Sequence, residues 1–365
     1  MRVLHGPVNI GNQPWVLSRH ERQLGIDSEL VVNYTPSLGY KADRVVSPLG
    51  WVSEEEMRAR LLNGLRAPFD YDVLHYYFGR SLMYWDDYGS RNYLPFLDVE
   101  VARRLGRSII FTLQGCDVRI AGDSTIRNRF TPCRAGHCTV FDTCLATLDD
   151  QRRHFIRDIL PKADRVFFLN PELGHFLGRG EFLPYSSVEI DRFEVIPPVT
   201  GRPPRILHAP TNGEIKGTPA ILEAIDQLRH RYEFEFVLVR NMTHEEALKA
   251  YQTADLVIDQ VLAGWYGGFA VEVMAMGKPV LCYLREEDFE FVPKEMFADI
   301  PIINIRPDRL AADIAQALDR RAEWGEWSAR SRQFVEKWHN PAGIAAALAR
   351  VYEDPTAPLT LQKLS

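Results

Sequence analysis

Short apolar runs recur along the chain, and between them lie glycine-bearing or polar loops and segments with apolar residues at helical spacing. In the first half the runs fall at residues 2–5, 29–33, 72–77, 108–113 and 165–170. In the second half they fall at 205–209, 235–239, 256–260, 280–283 and 302–305. Runs this short and this continuously apolar suit strands covered on both faces, the signature of a parallel sheet. The segments between them read as helices. One runs through Trp15 and Leu17 to a stop at Gly25; another opens at Ser53 with Glu56 in capping-box spacing; a third ends at Gly106. In the second half Ile221, Leu222, Ile225 and Leu228 share one helical face, and Thr243 is placed to cap the next helix. Strand and helix alternating in this way predict two doubly wound α/β domains. Residues 193–198 read as a closing strand, and Arg202-Pro203-Pro204 as a linker, because paired prolines continue neither helix nor sheet. The expected division is therefore a domain over 1–200, a second over 201–340, and a terminal helix and tail over 341–365 packing back on the first.

Composition narrows the class. A chain of 365 residues is long enough for two such cores, and 46% hydrophobic with 25% charged residues is ordinary for a globular protein. The net charge of −6 argues against a general nucleic-acid partner, since a phosphate backbone is repelled unless a basic stripe compensates, and none stands out. The first residues lack the apolar core of a signal peptide, and no run approaches the roughly 18 apolar residues of a membrane span. The expectation is a cytoplasmic protein without a transmembrane segment; peripheral membrane contact and oligomeric state stay open.

Five cysteines in a chain this long are not a secreted disulfide framework. Cys133, Cys138 and Cys144, with His137 among them and Cys116 upstream, form a cysteine-rich insert over about 116–144. Four thiols could hold a structural zinc, although the spacing departs from the usual C-x2-C knuckle. Reduced buried thiols and a disulfide formed on isolation are the competing readings.

The chemistry concentrates in residues 251–284, which read strand, glycine and aromatic turn, helix, strand. The turn at Gly267, Gly268, Phe269 and Ala270 aims a helix N-terminus at whatever sits above it, and an anion is the natural occupant. Glu272, within about a turn of that end, can accept hydrogen bonds from hydroxyls of the same ligand. Phosphate beside a diol describes a nucleotide. Lys216, in the loop after the 205–209 strand, falls at the same edge of the same sheet, as do Asn212 and Arg240. Ligands of doubly wound sheets lie at the carboxyl ends of strands. In the first half that places Gly11, Asn12 and Gln13 after one strand, and Gln114, Asp117 and Arg119 after another, at a ligand edge.

With His208-Ala209-Pro210, Lys216-Gly217 and the stretch from Gly264 through Glu272 to Gly277-Lys278-Pro279, the chain resembles GT-B glycosyltransferases, closest to the large retaining family 4. The resemblance runs over essentially the whole chain. It implies two Rossmann-like domains facing across a cleft, the second binding a nucleotide-diphosphate sugar. Lys216 would contact the diphosphate, the turn amides from Gly267 to Ala270 the phosphate, and Glu272 the ribose. The acceptor, a sugar, a lipid-linked molecule or another small molecule, would meet Gly11, Asn12, Gln13, Gln114 and Arg119 on the first domain. Lys216, Glu272 and Asp117 would act in catalysis, with no cofactor required. The chain departs from the family at three places. Gly264 stands where the family carries a glutamate associated with the donor sugar, Thr211 and Asn212 where an arginine is usual, and Gln114 where a histidine is common. A nucleotide-sugar-binding protein without transferase activity, and a GT-B enzyme of another reaction type such as an epimerase, are the alternatives.

Overall fold

The computed structural model describes residues 1–36, 39–47, 53–84 and 94–361. Within them the chain forms two compact units. The first comprises Met1–Arg119, Asp150–Val188 and Asn340–Ser365; the second comprises Ile120–Asp149 and Glu189–His339.

The first unit is built on a parallel sheet of β1 (Arg2–Gly6), β2 (Asp27–Val32), β3 (Arg44–Val45), β4 (Val73–Tyr77), β5 (Ser108–Leu113), β6 (Arg165–Phe168) and β7 (Glu181–Phe182). Its order is β3-β2-β1-β4-β5-β6-β7, so the chain winds outward in both directions from β1 and β4. The apolar runs occupy the interior strands: all five residues of β4 and the last five of β5 are buried. The terminal helix Pro341–Glu353 is part of this unit's core, where Ile344, Leu348 and Val351 pack with Val3, Leu17, Val73, Ile110 and Phe167. Each such aliphatic side chain stabilises by about 1.5–3 kcal/mol when fully buried.

Its sheet also carries a sealed polar chain. His5 joins Tyr77 through Nδ1 at 2.8 Å and Glu21 through Nε2 at 2.7 Å. The Ser28 and Tyr352 hydroxyls donate to the two Glu21 oxygens at 2.6 and 2.9 Å, and His75 joins Tyr352 and Thr112. Burial pushes the Glu21 carboxyl up, but His5 and the hydroxyls outweigh it and its pKa ends below the usual carboxylate range. Burial, with the neighbouring His5, holds His75 well below the usual imidazole value.

The second unit is a parallel sheet of β8 (Arg205–His208), β9 (Glu235–Leu238), β10 (Leu256–Ile258), β11 (Val280–Cys282) and β12 (Ile303–Asn304), in the order β12-β11-β10-β8-β9. Helix Thr218–Leu228 lays Ile221, Ala224, Ile225 and Leu228 on it; Leu222, expected on the same face, is 38% exposed instead. Helix His244–Gln252 starts on the Thr243 capping box, and the first unit's Glu54–Asp70 helix on the Ser53 one.

The expected closing strand at 193–198 does not form. Pro197 and Pro198 have no N–H to donate to a ladder, and the segment lies extended on the second unit, with Ile196 N–H on the Met276 carbonyl. Asp255, almost fully buried, then holds the linker by accepting from Val199 N–H, Arg205 N–H and the Arg202 guanidinium. The insert expected over about 116–144 in the first half groups with the second unit from Ile120 on, as part of the segment Ile120–Asp149. Phe130 supplies a carbonyl to Arg285 at 2.8 Å and packs edge-on to Tyr283; Thr139 N–H donates to Glu214 at 2.8 Å; Arg129 pairs with Asp308 at 3.1 Å.

The four-cysteine zinc site is not formed. Among the described residues no group of three or more His, Cys, Asp or Glu is arranged to hold a metal, and none of the five cysteines is in a disulfide. Cys133 and Cys144 instead fill a small apolar cluster with Ala121, against which Phe141 and Leu148 pack. Cys116 is exposed, its sulfur 3.6 Å from the Arg119 guanidinium in the first unit, and Cys138 is half-buried. The buried pair behaves as small hydrophobes. Among the described residues no helix is long and apolar enough to cross a membrane.

Candidate functional site

The carboxyl ends of β8, β9 and β10 gather the residues singled out in the second half. After β8 the chain turns through Asn212, whose side chain caps the short helix Gly213–Lys216 by accepting from Glu214 N–H at 3.0 Å and Ile215 N–H at 3.2 Å. Gly217 then takes φ +76°, and a Cβ there would lie 2.5 Å from Val261, so only glycine lets this loop close on the strand-end loop that follows β10. Asn212 is thus a cap, and the loop turns Lys216 toward the Gly267–Phe269 turn.

The Lys216 ammonium sits 5.4 Å from the centre of the Phe269 ring and 3.7 Å from where a side chain on Gly267 would begin. Gly267 caps the helix Gly268–Ala275; the Gly268 and Phe269 amides have no partner within the helix, whereas the Ala270 N–H, expected to face a ligand, donates to the Gly267 carbonyl at 3.0 Å. Lysine and helix start therefore present one positive corner, able to take an anion by charge and by N–H donation. Arg240, at the end of β9, lies within reach of the Gly213 turn. Glu272, on the first turns of the 268–275 helix, accepts from the His244 ring at 2.7 Å, and that bond raises the His244 pKa.

Two residues of this corner carried no signal in the sequence. Asp259 follows the last residue of β10 and is fully buried; its Oδ1 is 2.5 Å from the Lys216 ammonium and its Oδ2 accepts the Gly267 N–H at 2.8 Å. It reads in sequence as the end of an apolar run. His244 reads as an ordinary first helical residue. A third, His208, is recognisable from the resemblance, and its place is internal: Nδ1 faces the Ile258 carbonyl at 2.8 Å and Nε2 faces the Thr218 hydroxyl at 2.9 Å. A carbonyl only accepts, so Nδ1 carries the proton and Nε2 accepts from Thr218. Burial pushes the His208 pKa down to about 4, with the Lys216 and Arg240 charges acting in the same direction.

The position of the missing glutamate has a steric explanation. Gly264 adopts φ +79°, and a Cβ on it would lie 2.7 Å from the Arg285 guanidinium carbon. Arg285 is itself buried, paired with Asp288 at 2.8 Å and donating to the Phe130 carbonyl. The turn is shaped around an arginine, so an acid at 264 has no room. Lys278, in the run that stops the 268–275 helix, is also internal: its ammonium donates to the Ile196 and Gln252 carbonyls at 2.9 Å, and burial lowers its pKa to about 8.

In the first unit the loops after β1 and β5 come together. Gly11 and Asn12 take left-handed φ values of +66° and +62° to start the helix Gln13–Gln23. Gln13 is buried and accepts from Ser186 N–H at 3.1 Å, while the Gln114 amide donates to the Ile10 carbonyl at 3.4 Å. Asn170, after β6, donates to the Gln114 carbonyl and accepts from the Tyr185 hydroxyl. The other two expected site residues do not face a ligand edge. The Asp117 carboxylate accepts the N–H groups of Gln114 and Gly115 and shapes the loop, and burial raises its pKa. Arg119, 5% exposed, is turned inward onto Glu172 at 2.8 Å.

No protein-family model matches the chain, and no curated protein matches it in sequence. Solved structures do match along nearly its whole length. Sucrose-phosphate synthase from Thermosynechococcus elongatus aligns with TM-score 0.63 at 15% identity, covering 97% of this chain and 99% of that one. HepE from Anabaena, in complex with UDP and glucose, aligns with TM-score 0.56 at 10% identity, covering 97% and 100%. UDP-GlcNAc 2-epimerase from Neisseria meningitidis, bound to UDP-GlcNAc, aligns with TM-score 0.50 at 13% identity, covering 97% and 99%. At these identities the likeness is one of fold: two Rossmann-like α/β units with parallel sheets, as in GT-B glycosyltransferase structures.

Proposed function

We propose that the protein is a glycosyltransferase of the family 4 kind, moving a sugar from a nucleoside-diphosphate sugar to an acceptor with retention of configuration. The observation that carries this reading is the corner of the second unit where the Lys216 ammonium stands beside the start of the 268–275 helix, with Glu272 on its first turns. Lys216 and the amides of Gly268 and Phe269 take the diphosphate, Arg240 adds charge from the next strand end, and Glu272, oriented by His244, accepts from the ribose hydroxyls. As the glycosidic bond breaks, charge accumulates on the leaving diphosphate, and the fixed ammonium and amides stabilise it there. Gly11, Asn12 and Gln114 line the acceptor region, with Gln13, Asp117 and Arg119 holding its loops. UDP is the first nucleotide to try, because it is the one bound in the HepE structure.

The test is incubation of the purified protein with a panel of nucleoside-diphosphate sugars and candidate acceptors, following nucleoside diphosphate release. Acceptor-dependent release supports the reading; nucleotide binding with no release under any acceptor supports a binding protein instead. The likeness to the Neisseria epimerase gives the other alternative a definite signature: conversion of UDP-GlcNAc to its epimer without transfer. Glu272→Ala is expected to weaken UDP binding about tenfold, the loss of one or two hydrogen bonds to a charged acceptor. Unchanged affinity removes Glu272 from the site.

A further inference from the structure

Both groups at the centre of the positive corner already have an anion. One carboxylate, Asp259, holds the Lys216 ammonium at 2.5 Å with Oδ1 and the Gly267 N–H at 2.8 Å with Oδ2. A ligand cannot displace it: the side chain is fully buried and its backbone N–H is fixed to the Leu281 carbonyl of the sheet at 2.9 Å. Two other titratable groups near it add no positive charge. His208 is neutral, since burial brings it down to about 4, and burial with the Asp259 charge itself keeps the Cys282 thiol protonated.

We propose that Asp259 is a built-in counter-anion of the nucleotide site, a positioning residue that fixes Lys216 against the helix start and limits how tightly the site grips a nucleoside diphosphate. The proposal rests on the donor-site reading above. An ammonium has three N–H donors; Asp259 takes one, and a diphosphate takes the others. The bound phosphate then shares its cation with a second anion on the far side. At a spacing of about 6 Å, a unit of like charge weakens binding by about tenfold at an effective dielectric of about 40 and by about a hundredfold at about 20. Asp259 thus lets the leaving diphosphate be stabilised during bond breaking and still depart afterwards. Being buried behind Lys216, it does not reach the sugar and does not replace the acid absent at Gly264.

The experiment is UDP titration by calorimetry on the full chain: wild type, Asp259→Asn, Lys216→Met and the double variant, each checked for folding by circular dichroism. Lys216→Met is expected to weaken UDP binding; no change there refutes the donor-site reading itself. Asp259→Asn is expected to bind UDP about ten- to a hundredfold more tightly than wild type, and to release it more slowly in stopped flow. A merely structural carboxylate predicts the opposite sign. Unchanged or weaker UDP binding in folded Asp259→Asn, with Lys216→Met still impaired, overturns the counter-anion alone. Should the single Asp259 variant not fold, the double variant against Lys216→Met carries the same test: tighter UDP binding supports the proposal, and equal or weaker binding overturns it.

Discussion

Each unit buries charge against its parallel sheet, and the two do so to different ends. In the first, His5, Glu21, His75 and Tyr352 form a chain in which both nitrogens of each imidazole and both oxygens of the carboxylate have partners, and all four side chains are at most 4% exposed. In the second, Asp259 is as deeply buried, but its partner Lys216 keeps 14% of its side chain exposed beside a helix start with unspent N–H groups. Burial does not separate these clusters. Unused bonding capacity at a surface does, and under the proposed reading it makes the second a site and the first a staple.

The largest effect expected from breaking this contrast comes from Lys216→Met, which strands the Asp259 carboxylate in the interior. A loss of about 3–5 kcal/mol in urea unfolding is expected, and Asp259→Asn on the same chain is expected to restore most of it. A loss under about 1 kcal/mol means that the carboxylate finds water or another partner.

Acid tests both units together. His208 has a folded pKa of about 4 and an unfolded one near 6.5, so below pH 6.5 the unfolded chain binds a proton that the folded chain refuses. Stability is therefore fully present above pH 6.5 and falls as pH drops toward 4, by about 3 kcal/mol from this residue. His75 acts in the same direction from the first unit. His208→Gln is expected to flatten the second unit's share of the profile, measured as urea midpoints across that range; an unaltered slope excludes His208 as the source.

A smaller and more selective effect is expected for Glu21→Gln. The amide keeps the shape but faces three donors with one acceptor, which costs about 2 kcal/mol. UDP affinity is expected to stay at the wild-type value, and any shift in it abolishes the distinction between staple and site.

Much of this architecture is written in the apolar runs, because an interior strand of a parallel sheet needs continuous burial and little else. The two-residue strands Arg44–Val45 and Glu181–Phe182 escape that signal, being too short and, on their outer sides, too polar. Lys216, Gly267 and Glu272 are legible since each follows a local rule: a loop after a strand, a turn before a helix, an acid in its first turns. Asp259 and His244 are not, as their importance lies in partners 43 and 28 residues away. Gly264 shows the reverse case. Its glycine is visible at once, but its cause, the Arg285 guanidinium pressed against the turn, comes from the far side of the next strand.

The Tyr352 hydroxyl that donates to Glu21 bridges 331 residues of chain. At ordinary synthesis rates of about 5–20 residues per second, roughly 20–70 s separate the emergence of the two partners from the ribosome. Through that interval the first sheet lacks the helix that carries Ile344, Leu348 and Val351 into its core, and the second unit must be made in full before the first is complete. The nascent chain therefore holds an unfinished apolar face open longer than a domain built from one continuous segment does, until the Pro341–Glu353 helix is made and docks.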